Sequence, residues 1–204
     1  SFTVQEANDL AILLRAGALP APLIILEERT VGPDLGADSI KAGKIAALLG
    51  LLFVLLYMFI SYGRFGIYSN ISLAINLSLI IAILSLLQAT LTLPGIAGII
   101  LTIGMAVDAN VLIFERIREE LNNKKSPINA IDNGYKRALT TILDANITTF
   151  IAAIILFQLG SGPIKGFSIT LAIGIITSVF TAFTVTRFMV ARWIRKSNPK
   201  EISI

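Results

Sequence analysis

Apolar residues in this chain fall in long unbroken runs, with charged residues gathered where the runs end. Between Lys44 and Arg64 lies the stretch Ile45 to Ile60, and adding Ala42, Gly43 and Ser61 brings it to the roughly 20 residues a spanning helix needs. From Phe65 to Val107 no residue is charged, which is too long for one crossing and suits two joined at Leu93-Pro94-Gly95. Two further uncharged runs, 145–164 and 166–186, flank the breaker cluster Gly160-Ser-Gly-Pro-Ile-Lys165. The pattern predicts an all-α polytopic membrane protein with five transmembrane helices, at about 43–61, 69–92, 95–114, 142–159 and 167–186.

Ahead of the first run the pattern changes. Residues Val4 to Arg15 carry helical apolar spacing and Ala21 to Val31 reads as a strand. One helix and one strand do not fold alone, so residues 1–40 are expected to be a small α+β piece, the C-terminal end of a larger extramembrane domain. The opening at Ser1 has no basic segment or cleavage site and reads as the interior of a longer protein. Residues 41–196 then form the transmembrane bundle and 197–204 a tail. Inside the loop 115–141, Ser126-Pro127 supplies a helix start, and Ile128, Ile131, Tyr135, Ala138 and Ile142 recur at helical spacing. A short amphipathic helix lying on the membrane surface is expected there.

Composition agrees with a lipid environment: 55% of residues are hydrophobic and 15% charged, and the mean hydropathy is +0.80. Charge adds an orientation. Residues 1–40 hold six acidic and two basic side chains, the remainder seven and fifteen. Arg64 lies in the first loop, six cations (Arg116, Arg118, Lys124, Lys125, Lys136, Arg137) in the third, Lys165 alone in the fourth, and more follow from Arg187. By the positive-inside rule the third loop and the C-terminus face the cytoplasm and residues 1–40 face outward, the periplasm of a bacterium. There is no cysteine and no histidine, so thiolate metal sites and the usual near-neutral proton carrier are absent and proton chemistry falls to carboxylates. No catalytic group, cofactor or metal site is expected.

One carboxylate stands inside an apolar run. Asp108 lies between Pro94 and Glu115 in the third span, where an ionised side chain at the helix centre costs about 2.5–3.5 kcal/mol on insertion scales. Such a group is paired, protonated, or turned to water or a partner helix, and function is the first reading; a purely structural hydrogen bond to a neighbouring helix is the alternative. Gly104, one turn earlier, leaves room for such an approach. Asp144 lies at a matching depth in the fourth span if the two helices are antiparallel, and both aspartates begin the tripeptide Asp-Ala-Asn, at 108–110 and 144–146. In the last span Gly166, Thr170, Gly174, Ser178, Ala182 and Thr186 recur every fourth residue, a small-residue ridge suited to close helix packing.

The stretch Pro94 to Glu120, with Gly-Met-Ala-Val-Asp-Ala-Asn-Val-Leu-Ile-Phe at its centre, resembles the SecD family of bacterial protein-export subunits, within the resistance-nodulation-division (RND) superfamily. Leu14-Arg-Ala-Gly-Ala-Leu-Pro-Ala-Pro22, Thr30-Val-Gly-Pro-Asp-Leu-Gly-Ala-Asp-Ser-Ile40 and Ala138-Leu-Thr-Thr-Ile-Leu-Asp-Ala-Asn-Ile-Thr-Thr149 are similar to the same family in the expected order. The resemblance implies five helices of a six-helix RND-like bundle. It also implies a partnership with SecF near the SecYEG channel and YajC, and use of the proton motive force to help translocate unfolded secreted chains across the inner membrane. It makes Asp108 the proton-relay carboxylate, with Asn110 and Asp144 in support. Neither ATP nor nucleic acid is expected, and no phosphate-binding Gly-x-x-x-x-Gly-Lys-Ser/Thr loop occurs. Two other readings stay open: an RND-type transporter of small molecules or lipids, and a non-transporting scaffold whose polar residues only assemble helices.

Overall fold

A computed structural model describes residues 3–16, 33–197 and 202. The chain divides into two units, Ser1–Gly36 and Ala37–Ile204. In the first, helix α1 spans Val4–Ala16, where helical spacing predicts it. The strand expected over 21–31 lies outside the described residues.

Helix is the only regular secondary structure among the described residues of the second unit. Four helices are long and apolar enough to cross a membrane: Ile40–Leu86, Leu93–Asn122, Pro127–Leu159 and Pro163–Ser197. The first, 47 residues, would stretch to about 70 Å if straight, more than twice the hydrocarbon thickness of about 30 Å. It is not straight. The helical stretch Pro33–Leu86 breaks at Gly63, whose φ of 51° and ψ of −117° leave the helical region, a conformation glycine adopts without a Cβ penalty. The amide of Asn70 donates to the Leu55 carbonyl at 3.1 Å. Residues fifteen apart on one rod would lie about 22 Å apart, so the two arms, α2 (33–62) and α3 (64–86), fold back on each other. Gly66 permits the approach, because a Cβ there would stand 2.6 Å from the Met58 carbonyl carbon.

Helix α4 is Leu93–Asn122, with Thr92 Oγ1 accepting from the Gly95 N–H at 3.2 Å and proline in the first turn. Leu93-Pro94-Gly95 therefore starts a helix rather than forming the turn between two: α3 has already ended at Leu86, and proline is well suited to a first turn whose N–H groups have no partners. Helix α5, Pro127–Leu159, corrects a second expectation. The amphipathic segment at 127–142 is its first half, continuous with the rest. Its apolar face is covered by protein: Ile131, Tyr135, Ala138 and Ile142 are buried in one cluster with Ile113 and Ile117 of α4. A Cβ on Gly134 would stand 2.9 Å from the Ile117 backbone nitrogen, so the two helices nearly touch.

The turn after Leu159 passes through Gly160 and Gly162 into α6, Pro163–Phe180, as the breaker cluster predicts. Residues Thr181–Thr186 form a π-helical turn and α7, Arg187–Ser197, continues the rod. Helix α4 is central and packs on both α5 and α6. Polar groups such as Asn76, Thr102, Asn110, Thr170 and Thr186 are buried, while Phe53 is 68% and Ile60 79% exposed. That distribution, polar within and apolar without, suits a lipid solvent.

Candidate functional site: a carboxylate groove between two helices

Successive residues of a helix are turned by about 100°, so α4 presents two faces. Thr102, Ile103, Ala106, Ala109, Asn110 and Ile113 are buried, whereas Leu101, Gly104 and Asp108 are exposed. Asp108 opens into a groove of about 420 Å³ between α4 and α5, lined by Met105, Ala109 and Leu112 on one wall and Thr141, Ala145, Asn146 and Thr149 on the other. Among the described residues the Asp108 carboxylate has neither a hydrogen bond nor an ion pair. Three polar side chains of α5 line the same groove. Thr149 donates to the Ala145 carbonyl at 3.1 Å and Asn146 to that of Ile142 at 2.7 Å, which leaves the Asn146 amide one N–H and lone pairs for other partners.

Ile117 faces Gly134 across the antiparallel α4 and α5 pair. Counting nine residues from each along the two helices leads to Asp108 and to Leu143, the neighbour of Asp144. Asp144 is exposed but does not line the groove; its place is taken by Asn146, the third member of its own Asp-Ala-Asn tripeptide. Asn110 is separated from Asp108. It is 2% exposed, turned about 200° away on the helix, donates to the Ala106 carbonyl at 3.1 Å and keeps an unpartnered Oδ1 inside the bundle. The two tripeptides thus repeat one local contact, an asparagine amide bonded to the carbonyl four residues back. That repetition was the sequence signal for Asn146; Thr141 and Thr149 gave none.

The ridge on α6 meets α4. A Cβ on Gly166 would lie 2.6 Å from Thr92 Oγ1 and one on Gly174 2.6 Å from Thr102 Cβ, while Thr170 sits over Gly98. Ser178 is buried beside them, its hydroxyl donating to the Ile175 carbonyl at 2.9 Å. Gly104 takes no part, since a Cβ there would meet nothing within 4 Å.

At the charged end, aromatic rings and ion pairs join the helices. Phe65 packs on Phe114 and Trp193 at centroid distances of 5.5 and 5.7 Å. Tyr62 donates to Glu115 at 2.9 Å, and Arg118 pairs with the same carboxylate at 2.7 Å. Glu120, 1% exposed, is held by Arg137 at 3.0 Å and by Lys125, and Arg187 bridges to Asp132 at 3.3 Å. No group of three potential metal-ligating acids occurs among the described residues.

Membrane-length helices with apolar outer faces, packed through small residues around buried polar groups, define a polytopic helical membrane protein. The family model for the protein export membrane protein SecD/SecF, C-terminal, matches residues 20–196. The protein translocase subunit SecD of Magnetococcus marinus is 58% identical over 204 residues, covering 100% of this chain and 39% of that protein. That of Rhodobacter capsulatus is 54% identical over 203 residues, covering 100% and 37%. The crystal structure of SecDF, a translocon-associated membrane protein from Thermus thermophilus, superposes with a TM-score of 0.85 at 43% identity, over 100% of this chain and 28% of that one. The chain belongs to the SecD/SecF family of protein export membrane proteins, and spans about two fifths of the curated relatives' length.

Proposed function

We propose that this chain is the membrane part of a Sec export subunit that uses the proton motive force to assist translocation of secreted proteins, with Asp108 as the proton carrier. The observation that carries the reading is a carboxylate on a long apolar helix, without a partner among the described residues, that opens into a groove edged by Thr141, Asn146 and Thr149. A carboxylate so placed exchanges protons with water entering the groove, and its charge alters what the groove walls tolerate. Asp144, outside the groove, has a supporting role, and Asn110 acts inside the bundle, on helix packing. In this reading the hairpin at Gly63 makes five crossings of an RND-like bundle, residues 1–40 lie in the periplasm and the C-terminus in the cytoplasm. SecF, the SecYEG channel and YajC are the partners. The name of the Thermus relative, translocon-associated, supports that neighbourhood.

The test is Asp108→Asn in the full-length protein, which keeps size and hydrogen bonding but removes titration. Proton-driven export is expected to be lost at normal protein level and normal SecF co-purification. Near-normal export removes the relay. A second reading, in which Asp108 anchors a partner helix, is favoured by the open space at Gly104, and predicts that SecF co-purification falls with export.

A further inference from the structure

Helix α7 begins where the last apolar run ends. The uncharged residues 166–186 span about 31 Å, close to the hydrocarbon thickness of about 30 Å. Counting onward at ~1.5 Å per residue, Phe188 falls about 3 Å past the hydrocarbon edge and Arg192 about 9 Å past it, across the layer that lipid headgroups occupy. One side of α7 is committed to the protein: Val190 and Ile194 are buried, Trp193 meets Phe65, and Arg187 is bonded to Asp132 and stacked over Tyr135 at 5.6 Å.

The other side is not. Phe188, Ala191, Arg192, Arg195 and Lys196 line an open groove of about 530 Å³, with Phe188 64% exposed. Phe188, Arg192 and Arg195 follow the i, i+4, i+7 spacing of a single helix face. Among the described residues no carboxylate lies within ion-pair distance of Arg192, Arg195 or Lys196, whereas five cations of this end, Arg116, Arg118, Lys125, Arg137 and Arg187, each have one. Three cations without a carboxylate partner among the described residues, standing just outside an exposed phenyl ring, complement an amphiphile with an anionic head and an apolar tail.

We propose that this face of α7 binds an anionic phospholipid, its phosphate held by Arg192, Arg195 and Lys196 and the upper part of its acyl chains laid against Phe188 and Ala191. Arginine suits the role because its planar fork offers two parallel donors to phosphate oxygens. The site requires only that α7 leaves the membrane at this point, and is independent of the proton-relay reading.

The test is native mass spectrometry of the detergent-solubilised chain titrated with phosphatidylglycerol or phosphatidylcholine. Each cation near an anionic surface contributes roughly fivefold in affinity. Partial exposure reduces this, and wild type is expected to prefer phosphatidylglycerol by about tenfold or more. The variant carrying R192Q, R195Q and K196Q should lose that preference. Arg192→Lys should keep most of it, and Lys124→Gln, which removes an equal charge elsewhere on the same end, should leave it unchanged. Circular dichroism of each variant checks that helicity is retained. The proposal is overturned if the triple variant keeps the preference, if Lys124→Gln lowers it as much as Arg192→Gln, or if inorganic phosphate displaces the lipid, which would make the site one for a free anion.

Discussion

Two glycine-to-alanine changes, alike in chemistry and opposite in surroundings, test the packing of α4 on α5. At Gly104 a Cβ meets nothing within 4 Å; at Gly134 it would stand 2.5 Å from Ile117 Cγ1, 2.9 Å from its nitrogen and 3.0 Å from its Cα. Both positions are helical, so each alanine gains about 0.5–1 kcal/mol from the reduced freedom of the unfolded chain. At Gly104 nothing opposes the gain. At Gly134 the obstacle includes backbone that no rotamer change can move, so α5 must retreat from α4, at about 1–3 kcal/mol. Gly134→Ala should be destabilising, by up to about 2.5 kcal/mol, and Gly104→Ala stabilising by about 0.5–1 kcal/mol, a separation set by the overpacking cost of about 1–3 kcal/mol. Equilibrium unfolding in mixed micelles, followed by circular dichroism with increasing sodium dodecyl sulfate, reads the difference. If Gly134→Ala is as stable as Gly104→Ala, the close contact is wrong and α5 does not pack as described.

Phe65→Ala removes a ring that is 1% exposed and packed against both Phe114 and Trp193. It should cost about 3–5 kcal/mol and shift Trp193 emission to the red; unchanged emission would show that the indole does not depend on Phe65. Because the chain has no cysteine, single cysteines report topology cleanly. Those at Ser161 should react with impermeant reagent from the outer side and those at Lys124 only from the inner side, and the reverse result would break the proposed orientation.

Much of the helical layout was legible in sequence because hydropathy runs and breakers act locally. Lys44 and Arg64 bracket the first apolar run, and Gly160-Ser-Gly-Pro marks a turn that the structure also makes. Pro94 marks a helix boundary in either arrangement, and its preference for a first turn places that boundary at the start of α4. The choice was made by Thr92, whose hydroxyl caps Gly95, and by the end of α3 at Leu86. The depth of Asp108 could be counted from Pro94 and Glu115, but its direction could not. That Asn146 shares the groove with Asp108 while Asn110 turns inward follows from how α4 is rotated between α5 and α6, which no residue of the Asp-Ala-Asn tripeptide specifies.

What the sequence by itself determined is where the chain is helical, how much of it must avoid water, and that one carboxylate lies among apolar neighbours. Only tertiary structure decided what covers each apolar face. Residues 127–142 illustrate the reason: Ile131, Tyr135, Ala138 and Ile142 are buried against protein, although the same spacing suits a helix lying on lipid. Hydrophobic periodicity measures the free energy of leaving water, and lipid tails are as apolar as a protein interior. The pattern cannot tell one cover from the other. Van der Waals fit does, where Gly134 lets Ile117 approach and where Gly166 and Gly174 admit Thr92 and Thr102, and those contacts exist only once the helices are side by side.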